Sequence, residues 1–134
     1  MAYVEVDGVP VHYVEHGPAG PGVGTVVLVH GFPVDHRIMT GAFEPVFTGR
    51  PGWRRLYVDL PGMGRTVAPD VASTDDVFRI LRGTVEAWDL VERYPRATFA
   101  VLDRAGHGLD VEQRGLFEAL VGEWLDRVEE AGPA

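Results

Sequence analysis

Residues 25–37 read TVVLVHGFPVDHR, from Thr25 to Arg37. The run Thr25 to His30 is short, β-branched and continuously apolar through Val29, the pattern of a strand covered on both faces. It predicts a sandwiched, mainly parallel sheet. His30-Gly31-Phe32-Pro33 breaks the run with a loop, and Asp35 supplies a cap for a helix. Its apolar positions, Ile38, Met39, Ala42, Phe43 and Val46, recur at helical spacing, with Pro45 and the stretch 48–52 ending it.

Working outward, Tyr3 to Val6 and Val9 to Glu15 alternate polar and apolar side chains around Asp7-Gly8, a dipeptide suited to a tight turn, and predict an antiparallel hairpin. The Gly- and Pro-rich stretch 17–24 is a loop. Trp53 to Asp59 is the next strand, closed by Leu60-Pro61-Gly62. Ser73 or Thr74 starts a second helix with Asp75 and Asp76 in its first turn, where carboxylates offset the helix dipole. Its stripe runs Val77, Leu81, Val85, Trp88, Val91, with a break expected at Gly83-Thr84 because glycine costs a helix about 1 kcal/mol relative to alanine. Pro95 stops it. Ala97 to Leu102 is a fifth strand. Asp110 and Gln113 open a last helix that buries Leu116, Phe117, Leu120, Val121, Trp124, Leu125 and Val128. This alternation specifies an α/β three-layer sandwich of about five strands, mostly parallel apart from its N-terminal hairpin.

The whole chain, 1–134, reads as one domain, and at 46% hydrophobic residues it can build a core without disulfides or metal. A net charge of −8, with 12 arginines, no lysine and no basic run, disfavours nucleic acid and anionic lipid as partners. Zero cysteine excludes thiol catalysis and thiolate metal sites. The first residues, MAYVEVDG, lack the basic start and apolar stretch of a secretory signal, and no apolar run approaches the ~20 residues of a membrane span. A cytoplasmic, soluble protein is the expectation. Ser73 is the sole serine.

Three loops follow predicted parallel strands, where open α/β sheets bind ligands. They are His30-Gly31-Phe32-Pro33, Asp59 to Thr66 (DLPGMGRT), and Asp103-Arg104-Ala105-Gly106-His107-Gly108. VVLVHGFPVDHR, RRLYVDLPGMGRT and YPRATFAVLDRAGHGLDVEQ, in this order and each after a predicted strand, resemble the α/β-hydrolase superfamily, in particular its esterase, lipase and haloperoxidase-like branch. The resemblance implies an oxyanion loop at His30, Gly31 and Phe32, with the Phe32 N–H as one donor, and His107 as general base. Asp103 or Asp59 would orient His107; the bland reading of both carboxylates is a surface or turn-capping role.

The departures matter equally. The family's nucleophile sits in Gly-x-Ser-x-Gly, a strained turn between strand and helix, and this sequence contains none. The chain is expected to run from the helix after the fourth strand into the helix before the last one, without the nucleophile strand, lid and acid loop. The last strand is expected to slide in beside Thr25 to His30. Ser73 is accounted for as a helix cap, with a catalytic nucleophile as its lesser reading, Thr66 reads as a structural hydroxyl, and Asp89 as a solvated helix face. His12, His16 and His36 have no recognisable metal spacing and read as surface residues; no metal or other cofactor is expected. One oxyanion donor is worth a factor of about 10² to 10³ and a placed base about 10² to 10⁴, so weak hydrolysis of small carboxylic esters is physically allowed. The alternatives are an inactive relative serving as a binding module and a protein whose partner chain completes the site. The sheet edge left by the missing strands predicts a homodimer or larger.

Overall fold

A computed structural model describes residues 2–88 and 109–131. The N-terminal hairpin forms as the alternation predicts: β1 (Ala2–Val6) and β2 (Val9–His16) pair antiparallel, Val6 opposite Val9. Asp7 and Gly8 turn the chain with φ of +50° and +79°. Two successive positive angles match the twist of a two-residue hairpin. β3 (Thr25–Val29) pairs parallel with β4 (Arg54–Val58), and β4 pairs antiparallel with β2. The order β1-β2-β4-β3 makes a mixed sheet, in which one of the three described pairings is parallel. The expected fifth strand, 97–102, and its place beside β3 lie outside the described residues, as does Asp89.

Helices cover both faces, so the three-layer expectation holds. Alternate residues of β3 explain how. Val27 packs with Val6, Val11, Val58 and, from α2 (Thr74–Ala87), the fully buried Ile80. Val26 faces the other side, where Phe43, Val46 and Phe47 of α1 (His36–Phe47) meet Trp53 and, from α4 (Arg114–Glu130), Val121, Trp124 and Leu125. Phe43 and Phe117 add an edge-to-face ring pair at 4.9 Å, a favoured aromatic geometry. The most deeply covered strand is β4, whose residues 55–58 are all buried. β3 ends the described order, and its Val29 is 39% exposed.

Five local expectations are corrected. Pro45 does not end α1. It lies in the last turn, where its missing N–H costs one bond, and Phe47 beyond it is buried and holds that turn down. Gly83 does not break α2. A Cβ there would lie 2.5 Å from Val6 Cγ1, so the glycine lets the helix approach β1 closely. The buried stripe of α2 is accordingly offset by one residue, through Ile80 and Thr84, with Val77, Leu81 and Val85 half-buried. The last helix is two: α3 (Leu109–Glu112), then α4, between which Gln113 has φ −132° and makes no capping bond with its side chain. Within α4, Leu116 and Val128 are exposed, contrary to the expected stripe.

Candidate functional site

Parallel pairing with Val29 opposite Val58 brings the next residues, His30 and Asp59, side by side at one end of the sheet. The loops that begin there are joined through the buried imidazole of His30. Its Nδ1 donates to Gly31 O at 2.7 Å, and its Nε2 accepts from Leu60 N–H at 3.1 Å. An acceptor at Nε2 fixes the Nδ1–H tautomer. A trans peptide holds its carbonyl and N–H on opposite sides. With Gly31 O drawn to the His30 ring, the Phe32 N–H points away from it, and among the described residues no hydrogen bond uses that donor. Phe32 itself is 78% exposed. It lines an open cleft of about 680 Å³ with Pro33, Val34, Ile38, Met63 and Gly64.

The second loop folds around a buried carboxylate. Asp59 Oδ1 accepts from the backbone N–H and the Nδ1 of His36, both at 2.8 Å. Oδ2 accepts from His12 Nδ1 at 2.8 Å and from Arg65 N–H at 3.0 Å. Burial works to raise the Asp59 pKa, but these donors outweigh it and hold the carboxyl below its ordinary value. Gly64, at φ +54°, passes so close that a Cβ would lie 2.3 Å from Asp59 Cγ. Thr66 Oγ1 donates to Asp59 O at 2.8 Å and accepts from His12 N–H at 2.9 Å, which seals the loop onto β2. Thr66 is structural, as expected.

Of the residues singled out in the sequence, Phe32 lines the cleft, and the buried His30 holds the Gly31 carbonyl behind it. Asp59 is not a surface carboxylate: its hydrogen-bond donors are His12, His36 and backbone N–H groups, and His30 Nε2 lies 3.9 Å from its Oδ1. His107 and Asp103 lie outside the described residues. Ser73 sits at the exposed N-cap of α2, where its Oγ accepts from Asp76 N–H at 3.2 Å while its own N–H donates to the Asp76 carboxylate at 3.1 Å. This reciprocal arrangement is a capping box, remote in kind from a strained elbow.

The histidines are the larger correction. His12 is fully buried, His36 is 16% exposed at its side chain, and His16 is bound to Glu44 at 3.1 Å; none is a plain surface residue. Spacing along the chain could not reveal the first two, because His12 meets Asp59 from the neighbouring strand and His36 from the start of α1. β2 and β4 pair with Tyr13 opposite Val58, which sets His12 next to Asp59.

No family model matches the chain. Over 80 residues it is 36% identical to 2-succinyl-6-hydroxy-2,4-cyclohexadiene-1-carboxylate synthase of Salmonella paratyphi B, covering 60% of this chain and 30% of that enzyme. Among solved structures it resembles the haloalkane dehalogenase DatA of Agrobacterium tumefaciens C58, at 29% identity and a TM-score of 0.53, covering 66% of this chain and 28% of that one. An ancestral haloalkane dehalogenase, AncHLD2, shares the fold at 24% identity and a TM-score of 0.57, over 66% of this chain and 29% of that one. The chain thus spans less than a third of the length of these relatives. Its strand order, the two loops joined through His30, and these likenesses place the chain in the α/β-hydrolase superfamily.

Proposed function

We propose that this protein carries half of a carbonyl-hydrolysing site and acts weakly on small carboxylic esters, without a covalent serine intermediate. The observation that supports this reading best is the His30-held Gly31–Phe32 peptide, which leaves the Phe32 N–H beside the cleft without a partner among the described residues. In the reaction, water attacks the ester carbonyl while His107 takes its proton. The developing oxyanion accepts from Phe32 N–H, and the alcohol leaves as its oxygen is reprotonated. Asp103 is the candidate to orient His107, since the Asp59 carboxylate is already occupied by four donors. The relatives are a synthase and haloalkane dehalogenases by name, and small organic molecules are the substrate class we carry over.

The reading includes self-association as a homodimer or larger, for which Val29 at the end of the described sheet is the supporting feature. A clean monomer in light scattering at high concentration would remove that part. For the activity, hydrolysis of p-nitrophenyl acetate and butyrate is measured with the purified protein and with His107→Ala. The expected result is turnover above buffer in the parent and loss of it in the variant. A parent rate equal to buffer refutes the hydrolase reading and leaves a binding module.

A further inference from the structure

The residues beneath the cleft carry a site that the proposed hydrolysis does not use. His12 from β2, His36 at the start of α1 and Asp59 at the end of β4 each offer a ligand atom, and these atoms lie within 4.8 Å of one another. Two imidazoles and one carboxylate are a donor set suited to zinc, which binds three protein ligands and leaves a fourth position to water.

Two independent features of the cluster favour an ion over a plain hydrogen-bond knot. Asp59 is fully buried, and none of its four donors is a guanidinium: they are two backbone N–H groups and two imidazoles. A carboxylate taken out of water calls for a counter-charge, and a divalent cation supplies one. Further, His12 Nε2 is buried without a hydrogen-bond partner among the described residues. An uncommitted nitrogen on so deeply buried a ring is unusual, and an ion or water is an ordinary reason for one. The supporting shell is also in place. The N–H groups of His36 and Arg65 hold the carboxylate, and the Thr66 hydroxyl holds the His12 backbone. Outer contacts of this kind orient metal ligands.

We infer that His12, His36 and Asp59 bind a divalent transition-metal ion of the zinc type. Each imidazole would bind through a nitrogen that carries no proton, since the lone pair there is the ligand. The partly exposed His36 side is the way in. Since Asp59 leads the 59–66 loop and His36 opens α1, the ion ties together the two segments that border the cleft.

The test uses the full chain, stripped with EDTA and dialysed. Zn²⁺ is titrated in competition with a chromophoric chelator, and Co²⁺ by visible absorption. One ion per chain is expected, with affinity falling at acid pH as protons compete for the ligands. His36→Asn keeps an amide donor for Asp59 while removing the imidazole; it should retain the parent's circular dichroism and weaken binding at least about 100-fold, the upper end of what loss of an outer-shell partner costs. His16→Asn should bind as the parent does. Independently of any variant, Zn²⁺ should shift the ring proton resonances of His12 and His36 in the parent and leave those of His16 in place. Absence of stoichiometric binding, unchanged affinity in a folded His36→Asn, or unmoved His12 and His36 resonances would each overturn the site.

Discussion

Gly62 and Gly64 lie two residues apart in one loop, both with positive φ, at +79° and +54°, yet they differ in what surrounds them. Around Gly62 a Cβ would meet nothing within 4 Å, whereas at Gly64 it would lie 2.3 Å from Asp59 Cγ and Oδ2. Alanine at either position costs about 1 to 2 kcal/mol for the left-handed backbone, partly offset by about 0.4 to 1 kcal/mol from a less disordered unfolded chain. Those parts are shared. Gly64→Ala additionally has to displace a carboxylate fixed by four N–H donors, and overpacking of this kind adds about 1 to 3 kcal/mol.

The expected gap between the two variants is therefore about 2 kcal/mol. With a urea m-value of about 2 kcal/mol/M it separates their midpoints by about 1 M. Unfolding can be followed by the fluorescence of Trp53 and Trp124, whose rings lie 6.0 Å apart in the core. In an Asp59→Ala background the obstacle is gone, and the extra cost of Gly64→Ala should fall to that of Gly62→Ala, a coupling that a double-mutant cycle measures directly. Coincident midpoints in the parent background would refute the placement of the Asp59 carboxylate at the loop's centre.

Acid should act on the same group. A carboxyl whose folded pKa is depressed, as that of Asp59 is, contributes stability that is complete above its unfolded value and is lost as pH falls through the folded one. The urea midpoint should therefore drop steeply below about pH 4, and less steeply in Asp59→Asn. Ser73→Ala removes the capping hydroxyl and should cost about 1 kcal/mol in denaturant unfolding, while any p-nitrophenyl ester turnover stays unchanged; a lost burst phase would make Ser73 a nucleophile after all. Gly83→Ala gains about 1 kcal/mol of helix propensity but meets Val6 Cγ1 at 2.5 Å, for a net loss of about 1 kcal/mol. In a Val6→Ala background the same change should stabilise, and a loss there would count against the close packing of α2 on β1.

These cases separate what a chain states locally from what it states only through pairing. The four described strands, α1 and the start of α2 are legible because periods of 2 and 3.6, the Asp7-Gly8 turn and the caps Asp35 and Ser73 act within a few residues. Gly83 misleads for the complementary reason. Propensity weighs only what glycine costs the helix, whereas Val6, distant in sequence, supplies the reason for having no side chain there.

The site divides along the same line. His30-Gly31-Phe32 is a local motif, and its place at a cleft follows from its being the end of a strand. What orients its peptide is not local: Leu60 N–H reaches His30 Nε2 only because β3 and β4 run parallel in the register Val29 to Val58. That bond ties up the ring's acceptor and commits its Nδ1–H to Gly31 O, so that the Phe32 N–H is turned outward by a residue of the neighbouring strand's loop. His12 goes one step further. Its role depends on the antiparallel register of β2 with β4, and a histidine that alternation would leave on either face becomes, beside Asp59, a buried ligand. A hydrolase-type loop and a candidate cation cluster thus share the ends of two adjacent strands. Perturbing the Asp59 carboxylate should consequently disturb both, whereas His36→Asn, which leaves the His30 hydrogen bonds intact, should separate them.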